Sequence, residues 1–245
     1  MKLTLEKPDK FKRGISILSD IITESTLKAT EEGLEVDAMD PANVSKVSFK
    51  IPREAFSEYD VGDESSLSIN FNNLRKILRR LKKSDTLVLE KKENKLKLIY
   101  KGNNTKTYSV PLIDLHEDQK SLKDLDTEVD IQLPSKVFSE AIDDVDVVSE
   151  AVKFSAEPGV FNVTAEGDLS EAEVNLTESE DITIKTGSNQ ESRYSIEYLK
   201  KMIKADKICD EVRVKFSESY PVLLDYKKEG EVELSFILAP RVDNI

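Results

Sequence analysis

Phe71-Asn72-Asn73-Leu74-Arg75-Lys76-Ile77-Leu78 and Ile196-Glu197-Tyr198-Leu199-Lys200-Lys201-Met202-Ile203 share one apolar and polar pattern at an offset of 125 positions. Each leads into Asp-x-[Val/Leu]-x-[Val/Leu], at Asp85 and at Asp210. In the first copy Leu74, Ile77, Leu78 and Leu81 stand at relative positions 0, 3, 4 and 7. That is the period of a helix with one apolar stripe, so a helix is predicted over residues 72–83. Strands are predicted after it at 86–90, 95–100 and 105–111, the second alternating as a sheet with one wet face does. After the second copy the strand candidates are 211–216, 221–226 and 231–238.

The correspondence extends upstream. Residues 11–22 read as a helix with apolar Ile15, Leu18 and Ile22, followed by an extended stretch to Val36. Residues 135–147 read as a helix with Phe138, Ile142 and Val145, followed by an extended stretch from Ala151 to Val163. Gly33 and Gly159 fall at equivalent tight turns, where glycine accepts positive φ. The chain is therefore expected to be an α+β duplication, each copy holding two helices and many antiparallel strands. The expected domains are residues 1–115 and 128–245. The connecting segment, 116–127, is rich in Glu, Asp, Lys and Ser, with Leu122 and Leu125 as isolated apolar residues that tack it down or rim a groove.

The 245 residues are 38% hydrophobic, which argues against disorder and for one full core or two linked ones. No run approaches the 18 apolar residues of a membrane span, and Met1-Lys2-Leu3-Thr4-Leu5-Glu6 lacks a signal peptide's apolar run. The expected setting is cytoplasmic or nuclear, with no membrane partner. One cysteine, Cys209, and one histidine, His116, exclude an intrachain disulfide and a Cys/His metal site.

Nucleotide, dinucleotide and nucleophile-elbow glycine motifs are absent, so neither a cofactor nor a catalytic residue is expected. His116 reads as a solvent-exposed spacer, and Cys209 as a buried structural thiol. Asp143, Asp144 and Asp146, with Glu140, read as a solvated helix face; a bound metal would need oxygens converging from several elements. No metal site is expected. A carboxylate-metal nuclease stays open as an alternative, separable by metal-dependent DNA cleavage.

The net charge of −12 hides a division. Residues 1–115 carry 21 basic and 18 acidic side chains, whereas 116–245 carry 15 and 30. Local positive faces, not the sum, decide whether a protein meets a phosphate backbone. The densest run spans 75–83, six cations in nine residues with no acid among them. Further cations lie near the first helix (Lys7, Lys10, Lys12, Arg13) and the fourth (Lys200, Lys201, Lys204, Lys207). No aromatic residue interleaves 75–83, so phosphate contact without base stacking or sequence reading is the mechanism expected.

Four segments resemble the DNA sliding clamps of archaea and eukaryotes, the proliferating cell nuclear antigen family. They are Leu34-Glu35-Val36-Asp37-Ala38-Met39-Asp40-Pro41-Ala42-Asn43-Val44-Ser45, Asn73-Leu74-Arg75-Lys76-Ile77-Leu78 leading to Asp85-Thr86-Leu87, Val110-Pro111-Leu112-Ile113-Asp114, and Leu238-Ala239-Pro240-Arg241-Val242. With length and duplication, the likeness covers essentially the whole chain and looks archaeal. It implies a processivity factor: a three-subunit ring, pseudo-sixfold, whose helices line a hole around duplex DNA held without sequence preference. A nucleoid-associated place in the archaeal cytoplasm would follow. The inward cations would be among Lys10, Lys12, Arg13, Arg75, Lys76, Arg79, Arg80, Lys82, Lys83, Lys200, Lys201 and Lys204.

The same resemblance implies pairing between subunits of two edge strands, residues 107–115 and about 173–179. The contact would use Thr107, Tyr108, Ser109 and Val110 against Val174, Asn175, Leu176 and Thr177. Client peptides would dock at Met39, Asn43, Val44, Leu122, Leu125, Pro221, Ile237, Leu238, Ala239 and Pro240. The implied partners are copies or paralogues of the chain, a clamp loader, DNA polymerase, flap endonuclease and DNA ligase. Three departures stand out: the acidic helix 135–147, expected to contribute little to DNA contact, and Lys46 and Ile237, where relatives carry apolar and often aromatic pocket residues. A non-encircling scaffold, or one specialised subunit of a heterotrimeric clamp, is the alternative.

Overall fold

The computed structural model describes residues 1–62, 65–115 and 125–242. They fall into two compact units. The first holds Met1–Pro41, Val47 onward through the first half, and Lys228–Leu234; the second holds Ala42–Lys46 and the rest of the second half. His116 and Leu122 lie outside the described residues, as does most of the expected connecting segment.

The first half runs β1 (Lys2–Leu5), α1 (Asp9–Ile21), β2 (Glu24–Ala29), β3 (Gly33–Met39), β4 (Ser45–Pro52), β5 (Glu58–Asp60), β6 (Ser65–Asn70), α2 (Phe71–Leu78), β7 (Thr86–Lys92), β8 (Lys95–Lys101) and β9 (Thr105–Pro111). Its strands are ordered β5-β1-β7-β8-β9 and β6-β2-β3-β4. The second half repeats this element by element: β10 (Val129–Pro134), α3 (Ser135–Asp146), β11 (Ala151–Glu157), β12 (Val160–Glu166), β13 (Glu171–Thr177), β14 (Thr183–Lys185), β15 (Gln190–Ser195), α4 (Ile196–Met202), β16 (Glu211–Phe216), β17 (Val222–Lys228) and β18 (Val232–Leu238). The order is again β14-β10-β16-β17-β18 and β15-β11-β12-β13. The α+β duplication is thus present strand for strand, with antiparallel ladders in both halves.

Alternation builds each core. On β8, Leu96, Leu98 and Tyr100 point inward while Lys95, Lys97 and Lys101 do not. In the first unit α1 buries Phe11, Ile15 and Leu18, and α2 buries Phe71, Leu74 and Leu78. The second core centres on Phe154, whose ring lies 5.2–6.0 Å from those of Phe138, Phe161, Tyr194 and Phe216. Cys209 is buried and forms no disulfide.

Gly14 shows how closely α1 sits on its sheet: a Cβ there would come within 2.3 Å of the ring of Phe49, itself 1% exposed. We expect Gly14→Ala to destabilise the chain by about 1–3 kcal/mol through overpacking, despite alanine's better helix propensity. A urea midpoint equal to or above that of the parent would contradict this.

One predicted element is shorter than its periodicity suggests. The helix expected over 72–83 stops at Leu78. The Asn70 side chain caps its start by accepting from Asn73 N at 3.1 Å. Beyond Leu78 the chain tightens into turns, and Asp85 closes them: its carboxylate accepts from Lys82 N at 3.0 Å, while Asp85 N donates to Lys82 O at 3.1 Å. Leu81 still reaches the core, at 2% exposure. Its apolar position therefore continued the helical period although the backbone did not.

Candidate nucleic-acid interface

The early end of α2 changes what the cationic run is. Arg79, Arg80, Lys82 and Lys83 stand on the turn after the helix, all exposed, with Lys76 exposed on the last helical turn. Among the described residues none of these five is engaged in an ion pair. They form a compact protrusion of positive charge at a helix C-terminus, where the unsatisfied carbonyls favour cations.

The other four first-half cations of the expected inward set are engaged within the fold. Arg75 donates to Asp20 at 2.6 Å and to Ser19 Oγ at 3.2 Å, tying α2 to α1. Lys12 donates to Leu81 O at 2.7 Å, holding the cationic turn against α1. Arg13 pairs with Asp9 one helical turn earlier at 2.7 Å. Lys10 pairs with Glu231, whose carboxyl that hydrogen bond holds below its ordinary range. Sequence spacing put all these cations near the helices; only the fold separates fastening groups from those presented to solvent.

In the second unit the balance is different. Lys200 on α4 donates to Asp146 on α3 at 2.5 Å and lies 3.6 Å from Asp143. The Asp146 hydrogen bond raises the Lys200 pKa, opposed by the cost of burial and reinforced by the charges of Asp146 and Asp143. Lys201 pairs with Glu197 at 2.8 Å and sits over the Tyr198 ring at 4.7 Å. Lys204 is exposed. The acidic helix α3, with exposed Glu140, Asp143 and Asp144, thus offsets its neighbour's cations instead of adding to them. Among the described residues no His, Cys, Asp and Glu side chains group as a metal site.

Among the strands that end their sheets are the two expected at the subunit contact, β9 and β13. On β9, Thr107 and Ser109 are exposed, Tyr108 is half-buried with its ring 5.1 Å from that of Tyr100, and Val110 is buried. On β13, Asn175 and Thr177 are exposed while Val174 and Leu176 are half-buried. β9 stops short of the expected Leu115, closing at Pro111, whose ring has no N–H to offer a further ladder bond, while β13 is as long as expected but lies two residues earlier.

The expected peptide-docking residues divide between the units. In the second, Ala239 N donates to Val44 O at 2.9 Å and brings the loop of Asn43 and Val44 beside Ala239 and Pro240. Asn43 adopts φ 57°, and Val44 is 37% exposed. Leu125, Pro221 and Ile237 are half-buried, whereas Leu238 points into the core at 2% exposure. Met39 is half-buried in the first unit. Sequence reading missed Asp85 as the residue that shapes the cationic turn; the Ser-Asp pair closing a helical run was its only local sign.

Known proteins agree with this geometry along the whole chain. The family profile for the N-terminal domain of proliferating cell nuclear antigen matches residues 1–133, and that for its C-terminal domain residues 121–241. The DNA polymerase sliding clamp of Nanoarchaeum equitans is 35% identical over 249 residues, covering 99% of this chain and 100% of that protein. The sliding clamp of Thermococcus fumicolans is 35% identical with 99% of each covered. Among solved structures, proliferating cell nuclear antigen from Thermococcus kodakaraensis superposes with a TM-score of 0.91 at 27% identity, over 98% of this chain and 99% of the other. A complex of two such proteins from Sulfolobus tokodaii gives 0.90 at 26% identity, with the same coverage. The chain belongs to the proliferating cell nuclear antigen family of DNA polymerase sliding clamps.

Proposed function

We propose that this chain is a processivity factor, not an enzyme: three subunits close into a ring around duplex DNA and tether a polymerase to its template. The end-to-end likeness to sliding clamps, at 35% identity with neither chain overhanging the other, carries this reading. Within the ring, the first half would present Lys76, Arg79, Arg80, Lys82 and Lys83 to phosphate, with Lys204 from the second. Lys10, Lys12, Arg13, Arg75, Lys200 and Lys201 would chiefly hold the elements that bear those groups. Phosphate contacts of this kind are weak, salt-dependent and indifferent to sequence, which suits sliding.

The working domains in this reading are residues 1–115 and 128–245, joined by 116–127. Subunits would meet through β9, at Thr107 to Val110, and β13, at Val174 to Thr177. Clients such as a polymerase, flap endonuclease or ligase would dock a short peptide near Met39, Asn43, Val44, Leu122, Leu125, Pro221, Ile237, Ala239 and Pro240, with Leu238 supporting from the core. A strained Asn43 beside the Val44–Ala239 bond gives that site a fixed rim, since main-chain groups there are held in place. Loading would need an ATP-driven loader, for the chain carries no nucleotide motif, and the site of action would be the nucleoid.

The test is retention on DNA after loading by an archaeal clamp loader with ATP. Protein should stay on nicked circular duplex through a salt wash and run off within minutes once the circle is cut. Retention that survives linearisation at the same salt would point to ordinary binding and overturn the ring reading.

A further inference from the structure

A groove with fixed walls lies beside the proposed client site, all of it within the second unit. One wall is the loop that leads to Pro221, and hydrogen bonds fasten it to β15. Ser219 N donates to Glu191 O at 3.2 Å and Glu218 N to Gln190 Oε1 at 2.7 Å. Tyr220 O accepts from the Tyr194 hydroxyl at 2.7 Å and from Ser192 Oγ at 3.3 Å. Ser219 adopts φ 50°, a strained value that these bonds hold in place. The other wall is the segment after Ala239, where Arg241 N donates to Arg193 O at 2.7 Å. Between the walls is a cavity of about 290 Å³, lined from β15 by Ser192 and Arg193. Pro240 lines it too, so the groove continues the client site, and Val242 beside it is 86% exposed.

The charge of the groove runs against that of the half that holds it. Residues 116–245 carry twice as many acids as bases, yet Lys153, Arg193 and Arg241 all line this one cavity. Lys153 and Arg193 are direct cross-strand partners on β11 and β15, and like charges so placed repel. Arg241 is drawn in beside them by its backbone bond to Arg193, and its guanidinium donates a long bond, 3.4 Å, to Glu150 O. Lys153 stands 3.8 Å from Glu166, at the outer limit of an ion pair. Glu191 and Glu218 line the cavity as well, and they share an adjoining one with Glu157. The strip along β15 therefore changes sign, negative toward Gln190 and positive toward Arg193. An anion set among the three cations relieves their repulsion, and a guanidinium can take a carboxylate through two parallel bonds.

Resting on the client-docking reading, we propose that this groove takes the flank of a docked client peptide, and that the flank it selects carries aspartate or glutamate. The anchors of the peptide fix its place; Arg193 and Arg241, with Lys153, choose among clients by the charge next to those anchors. This preference opposes the bulk field of a chain of net charge −12, which draws in basic peptides. At about 0.15 M salt that field is screened beyond roughly 8 Å, and contacts inside the groove outlast it.

Fluorescence anisotropy at about 0.15 M salt tests this, with fluorescein-labelled docking peptides from an archaeal flap endonuclease. The residues next to the anchors are set to glutamate, lysine or serine, at one end or the other. At one of the two ends glutamates should tighten Kd about fivefold over serines, and lysines there should weaken it. In R193E/R241E the order should invert, lysine flanks binding tighter than glutamate flanks, while the serine-flanked peptide changes less than about twofold. R241E alone, which leaves β15 untouched, should lose the glutamate preference and serves if the double variant melts early by circular dichroism. Glutamates that gain nothing at either end, or a preference that folded R193E/R241E or R241E keeps, would overturn the charge selection while serine-flanked binding still upholds docking. A serine-flanked peptide that fails to bind the parent, or binds Ile237→Asp equally well, would overturn the docking reading and this proposal with it. Glutamate-flanked peptide with scrambled anchors that binds as tightly as the intact one would show a nonspecific cationic patch and overturn the groove.

Discussion

Reversing the exposed turn in R79E/R80E/K82E/K83E is expected to abolish salt-resistant retention on circular DNA and to remove most polymerase stimulation, while the assembled mass stays unchanged. The four side chains project from a turn fastened by Asp85 and by the Lys12–Leu81 bond, and none of them makes a bond that holds the fold. Each cation that neutralises a phosphate contributes close to one unit to the slope of log affinity against log salt. Losing two or three contacts per subunit should therefore flatten that slope by several units and weaken low-salt affinity about a hundredfold or more. Lys200→Ala is the informative contrast. Its ammonium already faces Asp146 and Asp143, so DNA retention should change less than about twofold. Retention unaltered by the fourfold reversal, or lost equally in Lys200→Ala, would sink this division of labour.

The fold was legible because duplication leaves two records of one pattern. The repeat around α2 and α4, the paired turns at Gly33 and Gly159, and alternation on β8 all carried through to the structure. The end of α2 did not show, because Leu81 occupies the next helical position while a side chain of a different residue, Asp85, bends the backbone. Cation roles were hidden for a related reason. Sequence proximity to a helix says nothing of whether Arg75 meets Asp20, or Lys200 meets Asp146, since those acids come from other helices. The acidic run of α3 is plain in the sequence, whereas its pairing with Lys200 of α4 is a tertiary contact. Charge patterns along a chain locate electrostatic segments; the contacts that spend or spare each charge are tertiary.

Phe154→Ala is expected to cost about 3–5 kcal/mol of stability, a large share of the roughly 5–15 kcal/mol a domain ordinarily possesses. The side chain is wholly buried on β11 and touches aromatic rings from α3, β12, β15 and β16 at once. Truncation opens a cavity that four rigid rings cannot fill together, and it removes several tilted and edge-on ring contacts beyond the lost area. Phe154→Leu keeps much of the volume and should cost about half as much. The effect should reach assembly as well. β12 stands between Phe154's strand and β13, so loosening β11 and β12 raises the freedom of the edge that must present Val174 and Leu176 in register. At protein concentrations where the parent holds its assembled mass, the alanine variant should shed monomer before its far-ultraviolet signal falls. A urea midpoint within 1 kcal/mol equivalent of the parent would show that this core repacks around the loss. Assembly and unfolding that fail together, in one transition, would show instead that the edge has no stability separate from the core behind it.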